Sequence, residues 1–137
     1  MTKRVLILCT GNSCRSQMAE ALWQQLARGS WQAASAGARP ASYVHPLAVT
    51  AMSEIDLDIS ENESKHVDQY KEAVFDLVIT VCDSAKDSCP ALAGAKQTLH
   101  WPFEDPADAT GSEEKKLAVF RRVRDEIRAQ IEEYLVS

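Results

Sequence analysis

Cys9, Arg15 and Ser16 stand as cysteine, five residues, arginine, hydroxyl, within the run Cys9-Thr10-Gly11-Asn12-Ser13-Cys14-Arg15-Ser16. A thiol and a guanidinium at that spacing suit the capture and attack of a tetrahedral oxyanion. The intervening residues can curl so that their backbone N–H groups point inward and cradle the anion's oxygens. Gly11 and Asn12 are the residues best able to take the positive φ that such a curl needs. Inward amides, a helix N-terminus and Arg15 would together lower the pKa of Cys9 and make it a nucleophilic thiolate. A buried cysteine at a strand end beside a surface arginine is the plainer reading. It leaves the coincidence of so many suitable residues unexplained.

The elements that must position this loop lie on either side of it. Arg4–Cys9 lacks polar alternation, which predicts a strand covered on both faces, as in a parallel sheet. Ser16 is expected to cap the next helix, with Met18, Ala19, Leu22 and Leu26 on one face and Gly29 closing it. Trp31–Ala36 reads as a second strand, stopped by Gly37 and Pro40. His45–Met52 reads as a short helix with Pro46 in its first turn, and His66–Ala73 as another. Phe75–Cys82 is a second strongly apolar run and predicts a central strand. Asp83–Ala95 reads as a loop and Thr98–Trp101 as a short last strand. After Ser112, Phe120, Val123, Ile127, Ile131 and Leu135 recur at helical spacing, with Glu113 and Glu114 at the positive end. Strands separated by helices define an α/β domain with a parallel sheet, whose ligands bind beyond the carboxyl ends of the strands.

At 137 residues the chain is expected to form a single domain, residues 1–137, burying about two-thirds of its unfolded surface. Hydrophobic residues make up 45% and charged residues 26%, as in ordinary globular proteins. No apolar run approaches the roughly 20 residues of a membrane span. Lys3-Arg4 before Val5–Leu8 resembles the start of a signal peptide, but the polar Asn12–Arg15 interrupts it too early. A cytoplasmic protein with no membrane partner is expected. The net charge of −5 argues against a nucleic-acid surface and requires a concentrated local field to hold an anion.

The four cysteines are Cys9, Cys14, Cys82 and Cys89. Their spacings carry no nearby histidine and do not suit zinc, so no metal site is expected; His45, His66 and His100 read as structural. Both central strands end in cysteine, at Leu8-Cys9 and Val81-Cys82. Neighbouring strands run about 4.8 Å apart, which suits a disulfide between their ends. Cys82 and Cys89 are seven residues apart. On a helix that is about 10.5 Å, beyond the ~7 Å limit for a bridge, so joining them requires the segment to loop or unwind. Asp83–Ser88 is polar and Pro90 limits a helix there, so such a rearrangement is cheap.

The loop at Cys9–Ser16 resembles the phosphate-binding loop of the low-molecular-weight protein tyrosine phosphatases. The whole chain is similar to the thioredoxin-coupled arsenate reductases that share that fold. The likeness runs through Gln17-Met18-Ala19-Glu20, Ser35-Ala36-Gly37, the Cys82 and Cys89 segment, His100-Trp101, Phe103-Glu104-Asp105-Pro106 and Phe120–Ile127. It implies a four-stranded parallel sheet flanked by helices, no bound organic cofactor, arsenate as substrate and thioredoxin as electron donor. It also implies a three-thiol relay. Cys9 attacks arsenic while Arg15, Thr10, Gly11, Asn12, Ser13, Cys14 and Ser16 form the substrate cradle. Asp105 protonates a departing oxygen. Cys82 then displaces arsenite to give a Cys9–Cys82 disulfide, and Cys89 takes it over as Cys82–Cys89.

Cys14 reads mainly as pocket lining, and the Ser16 hydroxyl as a partner of the Cys9 thiolate as well as a cap. Some members of the family bind potassium beside the loop, and Asn12, Glu20 and Ser35 match three positions of that site. Lys65 stands where the fourth, acidic in those members, falls, so its ammonium is expected to replace the cation. Trp23, Trp31 and Trp101 read as packing residues, and Arg121, Arg122 and Arg124 as a solvated helix face. Two competing functions remain: a phosphatase using only Cys9, Arg15 and Asp105, and a non-catalytic oxyanion or arsenite sensor. Ala107 after Pro106 argues against an aryl substrate. A monomer is expected, and glutaredoxin stands as the alternative reductant.

Overall fold

The run Val5–Leu8 forms the central strand that its uninterrupted hydrophobicity predicts, with every residue from Val5 to Cys9 buried. The computed structural model describes residues 2–81 and 95–136. Its elements are β1 (Lys3–Cys9), α1 (Arg15–Ala27), β2 (Trp31–Gly37), α2 (Pro46–Ser53), β3 (Leu77–Thr80), β4 (Thr98–His100) and α3 (Glu113–Val136). Single 3-10 turns form at Val67–Tyr70 and Pro106–Asp108. The four strands make one parallel sheet in the order β2-β1-β3-β4, flanked by the helices. The fold is therefore the expected α/β class. No helix among the described residues is long and apolar enough to cross a membrane.

Register places the exit of β1 between its neighbours, with Cys9 opposite Gly37 of β2 and Leu8 opposite Thr80 of β3. The Val81 N–H continues this pairing onto the Leu8 carbonyl at 2.9 Å. Helix α1 buries Met18, Leu22 and Trp23, and α3 buries Phe120, Val123, Ile127 and Ile131, the stripe read from their spacing. Trp23 lies at the centre of an aromatic cluster, with ring centroids 5.2 Å from Trp31, 6.0 Å from Trp101 and 5.6 Å from Tyr134. The tryptophans are thus packing residues, as expected.

Several local expectations need correction. Helix α1 begins at Arg15, and Ser16 is a fully buried first-turn residue rather than its cap. The other end of that helix is as expected: it stops at Ala27, Arg28 is left-handed at φ 51°, and Gly29 at φ 90° closes it. The segment His66–Ala73 makes only the 3-10 turn at Val67–Tyr70, which starts after His66 because the bridge to Gly37 holds that residue extended. Arg124 is not on a solvated face. It is buried, and its Nη1 donates to the Ala51 carbonyl at 2.8 Å and to Glu54 Oε1 at 3.0 Å. Arg121 binds both oxygens of the same carboxylate, and Arg122 pairs with Glu104. The loop read at Asp83–Ala95 lies outside the described residues up to residue 94.

Candidate active site

The chain from Cys9 to Arg15 turns sharply between the end of β1 and the start of α1. Its carbonyls face away from the turn and are held by neighbouring segments. Thr10 O accepts from Arg39 N at 2.9 Å, Gly11 O from Ala41 N at 2.9 Å and Ser13 O from His45 N at 2.8 Å. Gly11 O also takes the Ser64 hydroxyl at 2.7 Å, and Asn12 O takes Gln17 Nε2 at 3.2 Å. In a planar trans peptide the C=O and the following N–H point in opposite directions. Carbonyls of residues 10 to 13 directed outward therefore turn the N–H groups of residues 11 to 14 inward. That is the amide cradle inferred from the sequence.

The curl depends on Asn12 at φ 48°; Gly11 does not adopt a positive φ. Asparagine tolerates that conformation because its side chain finds local hydrogen bonds. The essential glycine is instead Gly37. A Cβ there would sit 2.5 Å from Thr10 O and 2.7 Å from Cys9 O, so only a glycine lets the end of β2 pass so close to the loop.

Cys9 is 2% exposed, which restricts access to small reactants. Its Sγ lies 2.8 Å from Ser16 Oγ and accepts the Asn12 N–H at 3.2 Å. Hydrogen bonds directed at a sulfur favour its thiolate form. Arg15 is nearly buried; its Nη2 lies 3.2 Å from Asp105 Oδ2 and its Nη1 donates to Phe103 O at 3.2 Å. Its Nε is buried without a hydrogen-bond partner among the described residues. Asp105 caps the Pro106–Asp108 turn by accepting the Ala107 N–H at 3.0 Å, the turn-forming role that an Asp-Pro pair also suggests.

Cys14 Sγ lies 3.6 Å from Asp105 Oδ1. Burial first, and the Asp105 carboxylate second, push its pKa up to about 11 against the opposing pull of Arg15. Cys14 is accordingly a thiol at neutral pH and lines the site. His45 caps α2, its Nδ1 accepting the Leu47 N–H at 3.1 Å, and burial lowers its pKa.

Beneath the loop, Asn12 Nδ2 donates to Ser16 Oγ at 2.8 Å and to Ser35 Oγ at 2.9 Å. The Ser35 hydroxyl donates to Glu20 Oε1 at 2.7 Å, and Lys65 Nζ stands 3.8 Å from that carboxylate oxygen. Lys65 also donates its backbone N–H to Asn12 Oδ1 at 2.8 Å. The lysine thus sits where the sequence expectation put it, among Asn12, Glu20 and Ser35. Gln17 and Ser64 join the site unannounced: amides and hydroxyls carry no spacing signature, and their partners lie 46 and 53 residues away. The structure brings together Cys9, Thr10, Gly11, Asn12, Ser13, Cys14, Arg15, Ser16 and Asp105. Cys82 and Cys89 lie outside the described residues.

A buried thiol under an amide cradle, with an arginine and an aspartate paired beside it, is the equipment of enzymes that attack tetrahedral oxyanions through cysteine. The model of the family Low molecular weight phosphotyrosine protein phosphatase matches residues 4–137. The chain is 50% identical to the arsenate reductase of Halalkalibacterium halodurans, over 98% of this chain and 96% of that protein. A solved arsenate reductase in the phosphate binding state superposes with a TM-score of 0.84 at 31% identity, covering 98% of both chains. The thioredoxin-dependent arsenate reductase of Corynebacterium glutamicum gives a TM-score of 0.76 at 32% identity, over 98% of this chain and 60% of that one. The chain belongs to the low molecular weight phosphotyrosine protein phosphatase family, among its arsenate reductases.

Proposed function

We propose that this chain, acting as one domain and a monomer, reduces arsenate to arsenite by a relay of Cys9, Cys82 and Cys89, with thioredoxin as the electron donor. The observation that carries the reading is the exit of β1. There Cys9 Sγ is hydrogen-bonded by Asn12 N–H, and the Arg15–Asp105 pair stands close by. The adjacent parallel strand reaches Val81, bonded to Leu8, one residue before the second cysteine of the relay.

The Cys9 thiolate attacks As(V), forming an S–As bond, and an As–O bond breaks with its oxygen leaving as water. Asp105 supplies a proton for that departure. The amides of the loop and the Arg15 guanidinium hold the remaining oxygens; the Nε of Arg15, without a partner among the described residues, is a donor suited to that task. The Cys82 thiolate then attacks the sulfur of Cys9. The S–As electron pair stays on arsenic, which leaves as As(III), and a Cys9–Cys82 disulfide remains. Cys89 attacks Cys82 and returns Cys9 as a thiolate. The thioredoxin dithiol finally reduces Cys82–Cys89. The name of the Corynebacterium glutamicum relative supports thioredoxin as that donor.

The test is arsenate-dependent NADPH oxidation in the presence of thioredoxin and thioredoxin reductase, with glutaredoxin as a parallel arm. Wild type should turn over, and Cys82→Ser and Cys89→Ser should each abolish turnover. Retained turnover in both variants would contradict the relay. Phosphatase turnover is the second reading, favoured by one observation: Cys9, Arg15 and Asp105 stand together around the loop, and ester hydrolysis through a cysteine asks for no further thiol. Hydrolysis of a phosphate ester should therefore survive in both serine variants.

A further inference from the structure

The hydrogen bonds around Cys9 have a direction, and it can be deduced from groups whose roles are fixed. The Lys65 N–H can only donate, so the Asn12 atom it meets at 2.8 Å is Oδ1. The carbonyls of Glu63 and Asn12 can only accept, so the Gln17 atom within 2.9 and 3.2 Å of them is Nε2. Gln17 Nε2 also donates to Asn12 Oδ1 at 3.0 Å, and Gln17 Oε1 accepts from Asn62 Nδ2 at 3.2 Å. The NH2 group of Asn12 must then face Ser16 and Ser35. Ser16 accepts from Asn12, and its one proton is directed to Cys9 Sγ, its other partner. Ser35 accepts likewise and gives its proton to Glu20.

Turning the Asn12 amide over would set its NH2 against two donors, the Lys65 N–H and the Gln17 NH2. Asn12 and Gln17 are both fully buried, so no water relieves such a clash. The Lys65 N–H is backbone that any residue would supply. Gln17, in the first turn of α1, is the side chain that makes the choice specific.

We propose that Gln17 is a positioning residue for the reaction: it fixes the direction of the Asn12–Ser16–Cys9 chain, so that the Ser16 hydroxyl donates to the sulfur. Gln17 acts through Asn12. The proposal rests on Cys9 being the nucleophile of the proposed function, but its test involves neither arsenate nor thioredoxin.

The experiment follows iodoacetamide alkylation of Cys9 against pH in the full chain, with the modified peptide identified by mass spectrometry. Wild type is compared with Gln17→Glu and Gln17→Met. A carboxyl at position 17, buried against two carbonyl oxygens, stays protonated; a carbonyl takes its one proton, and its remaining oxygen can accept from the overturned Asn12 amide. Gln17→Glu should therefore raise the alkylation midpoint by about one pH unit, roughly tenfold slower labelling below both midpoints. Gln17→Met should raise it by less, and this variant decides the question should the glutamate protein not fold. Unchanged midpoints, even with lowered thermal stability, would make Gln17 a packing residue and overturn the proposal. A wild-type Cys9 that labels like an ordinary thiol would instead overturn the nucleophile reading itself.

Discussion

Lys65 holds its ammonium 3.8 Å from the Glu20 carboxylate, at the far end of the hydrogen bonds that run through Ser35, Asn12 and Ser16 to Cys9. A tethered cation there neutralises Glu20 without any ion from solution. Turnover should therefore be equal, within about twofold, in potassium and in tetramethylammonium salts of the same ionic strength, because the ammonium already stands beside the carboxylate. Lys65→Met should lower the rate and make it respond to added potassium. Several-fold stimulation of wild type by potassium would show that the lysine does not fill this role.

Asp105 is held against Arg15 at 3.2 Å and at the head of a short turn, so its carboxyl is fixed by two independent contacts. If it delivers the proton to the departing oxygen, Asp105→Asn should reduce kcat by about 100-fold or more. Binding of inorganic phosphate, which relies on the loop and Arg15, should persist. Steady-state kinetics beside a phosphate titration separates the effects; an unchanged kcat would remove Asp105 from the chemistry.

Cys14 lies within the loop yet is held as a thiol, its pKa raised to about 11 by burial and by Asp105. At pH 7 a limiting amount of iodoacetamide should label Cys9 and spare Cys14. Cys14→Ala should retain kcat within about threefold, because a thiol is a poor nucleophile. Peptide mapping of the labelled protein checks the first statement and kinetics the second.

The chemistry of the site was legible wherever one residue type carries it. Cys9 and Arg15 stand out by their spacing around the loop, whereas Asp105 reads locally as a turn former and enters only through the family resemblance; the apolar runs at Val5–Leu8 and Leu77–Val81 read directly as the paired central strands. What sequence could not supply was the partner of each versatile polar residue. Ser16 looks like a helix cap, but its hydroxyl is drawn to Cys9 and Asn12 once the loop closes. Gln17 looks like one more residue of a polar helix start, and only folding brings Glu63 against it. Arg124 reads as solvated beside two other arginines, because nothing local reveals that α2 ends opposite it with Glu54 and a carbonyl of Ala51.

That last contact carries a stability prediction. Arg124→Met removes a donor from Ala51 O and Glu54, and should cost about 1–3 kcal/mol in denaturant unfolding while leaving turnover unchanged. The hydrogen bond from Arg121 first, and that from Arg124 after it, hold the Glu54 pKa below its ordinary value. A depressed carboxylate contributes stability above its unfolded pKa and loses it as pH falls through the folded value. Glu54→Gln should therefore matter at neutral pH and matter progressively less below the ordinary carboxylate range. Equal destabilisation at neutral and strongly acid pH would contradict this linkage.

The relay is tested most directly by a single turnover without reductant. Fully reduced protein is mixed with arsenate, quenched in acid, and its disulfides mapped by mass spectrometry alongside the arsenite released. Wild type should yield one arsenite per chain and a bridge between Cys82 and Cys89, and Cys89→Ser should stop with Cys9 joined to Cys82. Stoichiometric arsenite with neither bridge formed would contradict the account.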